Sequence, residues 1–460
     1  MYARSKIKEA DNDKHNKAGC RYSVSKHPTH VAVIGAGISG LMAIRHLVKA
    51  GLKVSCFEQN SCIGGLWNFQ PLEQLVDIRK PHVEPATALY KNLRTNFPLP
   101  FMTIPDSVGY PENTPLYPLW QTVQQYLEDY ASHYQLLPHI RFQTRVTDIA
   151  KITGKQPWQV SWSKDGKDQK ECFDKVVICN GHNSKPVIPK IAGLETFKGL
   201  VTHSLFYREP EPFKNQNVAI LGISNSGEDL SLDLSQTAKH VYLCGRTATG
   251  RSAVSDRGGL PYGPRNNITQ HPEIISASGK TLVLKDGTTL KDVDTLLLTT
   301  GYNHGFPFFP DLSAVGLKAG DRFLSPLYID TFHADDSSLA FIGLPAYTAI
   351  FWLAWYQSIW IAKVFSNQLT LPDKAARNYA VRWQIAQCQA LGLEERHYQV
   401  YKERQFPMLQ RVARMAGESL PNAKAESCLL QSFQHRVDYP DNFRDIPFAT
   451  IPPLKDLGLR

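Results

Sequence analysis

HVAVIGAGISGLMAIRHLVKAGLKVSCFEQ, residues 30–59, decides the fold. A short apolar run leads into a glycine turn. An amphipathic stretch of helical period follows, and a second apolar run ends at an acid. Strand, turn, helix and strand in this order make one βαβ unit. Gly35, Gly37 and Gly40 are spaced GxGxxG at the turn. Gly35 permits the sharp turn, and Gly37 lets backbone approach a pyrophosphate resting on the helix N-terminus. Gly40 lets helix and strand pack closely. Ile38 and Ser39 belong to the same loop and are expected to touch the cofactor with it. Glu58 follows about 20 residues on, where an acid can accept hydrogen bonds from ribose hydroxyls.

The next residues indicate which dinucleotide. FEQNSCIGGLW puts Gly64-Gly65 shortly after the acid, then Leu66 and Trp67. FAD-binding proteins with two dinucleotide sites often place a second glycine pair there, where backbone passes close to the flavin; that resemblance makes Gly65, Leu66 and Trp67 expected FAD contacts. NVAILGISNSGEDL, residues 217–230, repeats the strand–glycine–helix pattern with Gly222, Ser224, Asn225, Ser226 and Gly227. Ser224 stands where the middle glycine would be. The following strand, HVYLCG, ends in Arg246-Thr247 rather than in an acid. A carboxylate would repel a 2′-phosphate and arginine can pair with it, so this loop is expected to bind NADPH.

These two units are the only internal repetition. They predict an α/β protein with two Rossmann-like dinucleotide-binding domains and a mostly helical C-terminal region. Residues 1–28 read as a disordered tail. Residues 29–183 and 295–460 read as a discontinuous FAD-binding domain, and 184–294 as the NADPH-binding domain. FKGLVTHSLFYR, residues 197–208, reads as a linker between the two sites, with a turn at Gly199 and His203 orienting backbone.

Bulk properties exclude several functions. The 460 residues carry a formal charge of +9, but Lys and Arg are spread among acids, so no nucleic-acid partner is expected. The eight cysteines lack CxxC and zinc-site spacing, and they read as reduced thiols of a cytoplasmic protein. No metal site and no Ser-His-Asp triad is visible. The segment from Leu339 to Ala362 carries no charge. Gly343 and Pro345 break it, so it reads as a buried strand and helix, not a transmembrane anchor.

Phe197-x-Gly199-x-x-x-His203-x-x-x-Tyr207 resembles the identifying motif of the class B flavin monooxygenases. LYKNLRTNFP resembles that family's active-site asparagine loop, LLLTTGY its ATGY strand, and FIGLP with Gln357-Ser358 the helix under its flavin. Tyr207-Arg208 resembles the flavin-containing monooxygenases proper, and the soluble N- and S-oxygenating members look closest. The resemblance implies Asn96 as the catalytic polar group, with Thr95, Thr300, Gly301 and Gln357 as further cofactor contacts. It also implies a reaction cycle. NADPH reduces FAD, O2 gives a C4a-hydroperoxide, and an amine nitrogen or thioether sulfur of a small molecule takes the distal oxygen. A Baeyer–Villiger reaction on a ketone, an NADPH oxidase and a non-catalytic dinucleotide-binding module are the alternatives. A homodimer is compatible with this reading. The sequence does not name the substrate.

Overall fold

The computed structural model describes residues 28–82, 85, 87–152, 157–183, 185–246, 259–439, 442–446 and 454–458. Of the expected N-terminal tail only Pro28 lies among them, and Thr247 lies outside them. Seven α-helices occur among the described residues: α1 (Ile38–Lys49), α2 (Trp120–His133), α3 (Asn225–Leu234), α4 (Ile350–Phe365), α5 (Lys374–Ala390), α6 (Gln405–Ala416) and α7 (Ala423–Asp438).

The strand His30–Ile34 lies inside a seven-stranded sheet because it is apolar on both faces. Val31, Ala32 and Val33 are fully buried, as an interior strand of a parallel sheet requires. Lys53–Phe57 flanks it on one side and Lys175–Ile178 on the other, both parallel to it. Ile140–Arg141 and Leu339–Phe341 extend the parallel core, and Leu327–Tyr328 with Phe332–His333 close one edge as a hairpin. α1 covers one face and packs on α4. Trp352, Tyr356 and Trp360 of α4 are buried in the same core as Leu41, Ile44 and Leu47 of α1. The uncharged stretch is thereby a strand and a core helix. No described helix is long and apolar enough to cross a membrane.

The second sheet has six strands. Asn217–Leu221 lies between His240–Cys244 and Thr295–Leu298, all parallel. Leu200–His203 pairs with Thr295–Leu298 at one edge, and Ile268–His271 with Leu260–Pro261 forms the other. Two expectations change here. Thr295–Leu298, allotted to the first unit by a boundary at 294, is buried at every residue and belongs inside the second sheet. FKGLVTHSLFYR is not only a linker, since Leu200–His203 is an edge strand. Gly199 serves close packing rather than a turn: a Cβ there would stand 2.5 Å from the Asp294 carbonyl oxygen and 2.6 Å from the Phe197 ring. The two chain crossings between the units, Lys185–Pro186 and Tyr302–Asn303, pair antiparallel.

Cys56, Cys62, Cys179, Cys244, Cys388 and Cys428 are free. Cys172 is disulfide-bonded, against the expectation of reduced thiols throughout.

Candidate active site

Each glycine loop closes on itself in the same way. Gly35 has φ +100°, and a Cβ there would meet the Cys179 carbonyl oxygen at 2.7 Å. Gly222 has φ +125°, with the Thr299 carbonyl oxygen at 2.6 Å. A Cβ on Gly40 would stand 1.9 Å from the Gly35 oxygen, and one on Gly227 would stand 1.8 Å from the Gly222 oxygen. Only glycine satisfies these four positions.

The middle position differs. Gly37 and Ser224 are the N-caps of α1 and α3, with φ −76° and −88° and nearly equal ψ. That extended backbone suits any residue, so Ser224 is accommodated without strain. Its hydroxyl does not cap α3; it lies 3.0 Å from the Tyr347 hydroxyl. Neither helix has a side-chain cap. Both therefore set N–H groups that no side chain caps at the positive end of the helix dipole, the setting a pyrophosphate requires.

The first cradle has a cover. A Cβ on Gly65 would stand 2.9 Å from the Gly37 Cα, so the Gly64–Trp67 turn lies directly against the first glycine loop. Leu66 is exposed and Trp67 half-buried. Glu58 is buried. Its carboxylate accepts from the Ala36 N–H at 2.8 Å and from the Asn60 N–H and side-chain amide at 2.8 and 2.9 Å. Burial raises its pKa, opposed by these donors. Ile38 and Ser39 begin α1. The residues present fit a dinucleotide at this end of the sheet, next to the point where strand order reverses.

At the second cradle Asn225 is half-buried, and Ser226 and Arg246 are exposed. Arg246 forms no ion pair among the described residues.

The Thr95–Asn96 loop lies between the units. Thr95 is buried and donates its hydroxyl to the Phe97 carbonyl oxygen at 2.9 Å. Asn96 is half-buried, and its Oδ1 accepts from Arg444 at 2.5 Å. Arg444 also pairs with Asp229 of α3. Sequence reasoning missed Arg444, Asp229 and Tyr347, since contacts between distant segments leave no periodic signal.

Other expected contacts are hydrogen-bonded or packed within the chain. Gln357 is fully buried. Its Oε1 accepts from the Gly343 N–H, and its amide donates to the Asp330 carbonyl and the Thr331 hydroxyl. Its polar groups are committed to these partners, and they hold Gly343 beside Ser39. Thr300 donates to the Val187 carbonyl at 2.5 Å, and the Arg322 guanidinium presses against Gly301. Arg208 donates to the carbonyls of Gln70, Thr87, Leu205 and Tyr207, and burial lowers its pKa to about 10. His203 is fully buried. Its Nδ1 accepts from the Leu205 N–H at 3.1 Å, and burial lowers its pKa to about 4, so it stays neutral. It organises backbone, as expected.

The family profile described as FMO-like, flavin-binding monooxygenase-like, matches residues 28–263 and 265–400. The flavin-containing monooxygenase FMO GS-OX4 of Arabidopsis thaliana is 33% identical over 427 residues, 90% of this chain and 90% of its own. The S-allyl-L-cysteine S-oxygenase from Allium sativum superposes with a TM-score of 0.82 at 30% identity, over 91% of this chain and 95% of that one. Tmm from Pelagibacter sp. strain HTCC7211 shares the fold, with a TM-score of 0.77 at 24% identity over 93% of this chain and 94% of that one.

Proposed function

The chain belongs to the flavin-binding monooxygenase-like family, and from that premise we propose that it oxygenates the sulfur of a small thioether. It is an NADPH-dependent flavin monooxygenase, and its flavin is FAD. The overall balance is thioether, O2, NADPH and one proton to sulfoxide, NADP⁺ and water. Bound FAD supplies the redox chemistry, taking a hydride from NADPH and activating O2.

The observation that carries this reading is the pair of glycine cradles, two helix N-termini without side-chain caps, built alike on two different sheets. In the first, α1 would hold the FAD pyrophosphate and Glu58 the ribose, with the Gly65–Trp67 turn close to the flavin. In the second, α3 would hold the NADPH pyrophosphate. Arg246 would pair with the 2′-phosphate, which gives NADPH its advantage over NADH. We assign the seven-stranded sheet with its C-terminal helices to FAD, and the six-stranded sheet through Leu298 to NADPH. Asn96 would donate its amide to the reacting oxygen. The similarity to an S-oxygenase over most of both chains supports sulfur as the accepting atom.

The test is an NADPH-consumption screen of thioethers, tertiary amines and a cyclic ketone, with mass detection of products. A thioether turned over to a product heavier by one oxygen atom supports the proposal. Preferential N-oxide or ester formation overturns the sulfur assignment. NADPH consumption yielding only hydrogen peroxide identifies an oxidase.

A further inference from the structure

We propose that Arg444 is a positioning residue for oxygen transfer, fixing the amide of Asn96 from a strap of C-terminal chain that crosses both dinucleotide units. The proposal rests on the reading of Asn96 given above.

Four contacts converge on one guanidinium. Nε donates to the Thr95 carbonyl at 3.0 Å and Nη2 to Asn96 Oδ1 at 2.5 Å. Nη1 and Nη2 fork onto Asp229, at 3.1 Å to Oδ1 and 2.7 Å to Oδ2. Asp229 belongs to α3, whose N-terminus is the second glycine loop. Arg444 thus joins the asparagine loop of one unit to the cofactor helix of the other. Burial works against its charge, but Asp229 outweighs that and holds the guanidinium above its ordinary value.

The strap itself is anchored on both sides. Arg436 of α7 pairs with Glu228 at 2.9 Å, and both side chains are buried. Phe443 is buried, with its ring 5.2 Å from that of Tyr117 and 4.5 Å below the Arg444 guanidinium. Arg94 donates to the Arg444 carbonyl at 3.0 Å and pairs with Asp445 at 2.5 Å. Arg444 therefore has little freedom to leave Asn96.

The consequence for Asn96 follows from donor chemistry. Arginine has five donors and no acceptor, so the asparagine atom facing it must be the carbonyl oxygen. The amide NH2 is then turned the other way, and it donates to nothing among the described residues. A fixed NH2 donor stabilises negative charge that develops on a reacting oxygen, and a flipped amide would oppose it with a carbonyl. Arg444 lies beyond residue 400, where the family match ends. Its role is read from this chain's geometry.

A double-mutant cycle on the full-length, FAD-loaded protein tests the proposal, using Asn96→Ala, Arg444→Met and the pair. Two readouts are taken: product formed per NADPH consumed, and the denaturant midpoint of unfolding. Each single substitution should lower product per NADPH tenfold or more. The pair should be no worse than either single, and the unfolding effects should also be less than additive, because both remove one shared contact. Additive losses in either readout overturn the proposal while leaving Asn96 in its role. So does a parental product ratio in Arg444→Met when Asn96→Ala has lost it. A parental ratio in Asn96→Ala overturns the reading of Asn96 and the proposal with it. If Arg444→Met does not fold, Arg444→Lys takes its place in the cycle. Lysine keeps a charge opposite Asp229 but lacks the fork that spans Asp229 and Asn96, so the same tenfold loss is expected. A parental ratio with lysine overturns the proposal.

Discussion

Replacing Gly227 by alanine separates the two cofactor sites. A Cβ at this position would stand 1.8 Å from the Gly222 carbonyl oxygen, whereas real Cβ atoms keep at least 3.0 Å. The difference, 1.2 Å, must be taken up by backbone, because the obstacle is a main-chain atom. The Thr299 hydroxyl at 3.1 Å from the same Cβ restricts retreat the other way. The first turn of α3 therefore shifts by about 1 Å relative to the loop. Misplacement of that size in a site built on fixed geometry costs about 100-fold, or about 2.7 kcal/mol of NADPH binding. Calorimetric titration of NADP⁺ into FAD-loaded protein gives the Kd, and visible absorbance gives FAD occupancy. Kd should rise about 100-fold while FAD occupancy stays parental. Gly40→Ala is the mirror case, with its Cβ 1.9 Å from the Gly35 oxygen, and it should empty the FAD site. If Gly227→Ala loses FAD while binding NADP⁺ normally, or changes neither, the assignment of the cradles is wrong.

Other perturbations follow from single contacts. Arg246→Ala should weaken NADPH about tenfold to 100-fold, the range for a charge-assisted pair, and leave NADH almost untouched; steady-state KM values for the two cofactors decide it, and an equal effect on both removes the assignment. Gln357→Leu leaves the buried Gly343 N–H and its partners on Asp330 and Thr331 unpaired, so urea unfolding should show a loss of about 3 kcal/mol; a change under about 0.5 kcal/mol contradicts the structural role. His203 has its folded pKa lowered to about 4 by burial, against about 6.5 when unfolded. The unfolded chain then binds the proton first as pH falls. Stability from this group is complete above pH 6.5 and is lost as pH drops toward 4, by up to about 3 kcal/mol. Unfolding midpoints across that range should fall less steeply in His203→Asn than in the parent, and equal slopes would show that His203 does not titrate as described.

The glycine loops were legible because one tight turn demands glycine at fixed places and lies between a strand and a helix of ordinary pattern. Even there the middle position was read too strictly. Ser224 looked like a departure, yet Gly37 and Ser224 share an extended conformation that needs no glycine. Strands were hardest to place where burial depends on the neighbour rather than on local pattern. Leu296, Leu297 and Leu298 are apolar and buried and could have joined either sheet; pairing with Val218–Leu221 decides which. Ile268–His271 contains Thr269 and Gln270 and shows no apolar alternation. The partners of Gln357 were not legible because sequence shows an amide but not what consumes it. Arg444 was invisible for the same reason, since its partners Asp229 and Asn96 are 215 and 348 residues away.

The most direct measurement supplies NADPH and ¹⁸O2 to the FAD-loaded enzyme with a thioether found in the substrate screen. Oxygenation at sulfur predicts a sulfoxide carrying one ¹⁸O, formed in a ratio to NADPH consumed that approaches one. A sulfoxide without the label, or NADPH consumed with only labelled hydrogen peroxide formed, would contradict the proposed function.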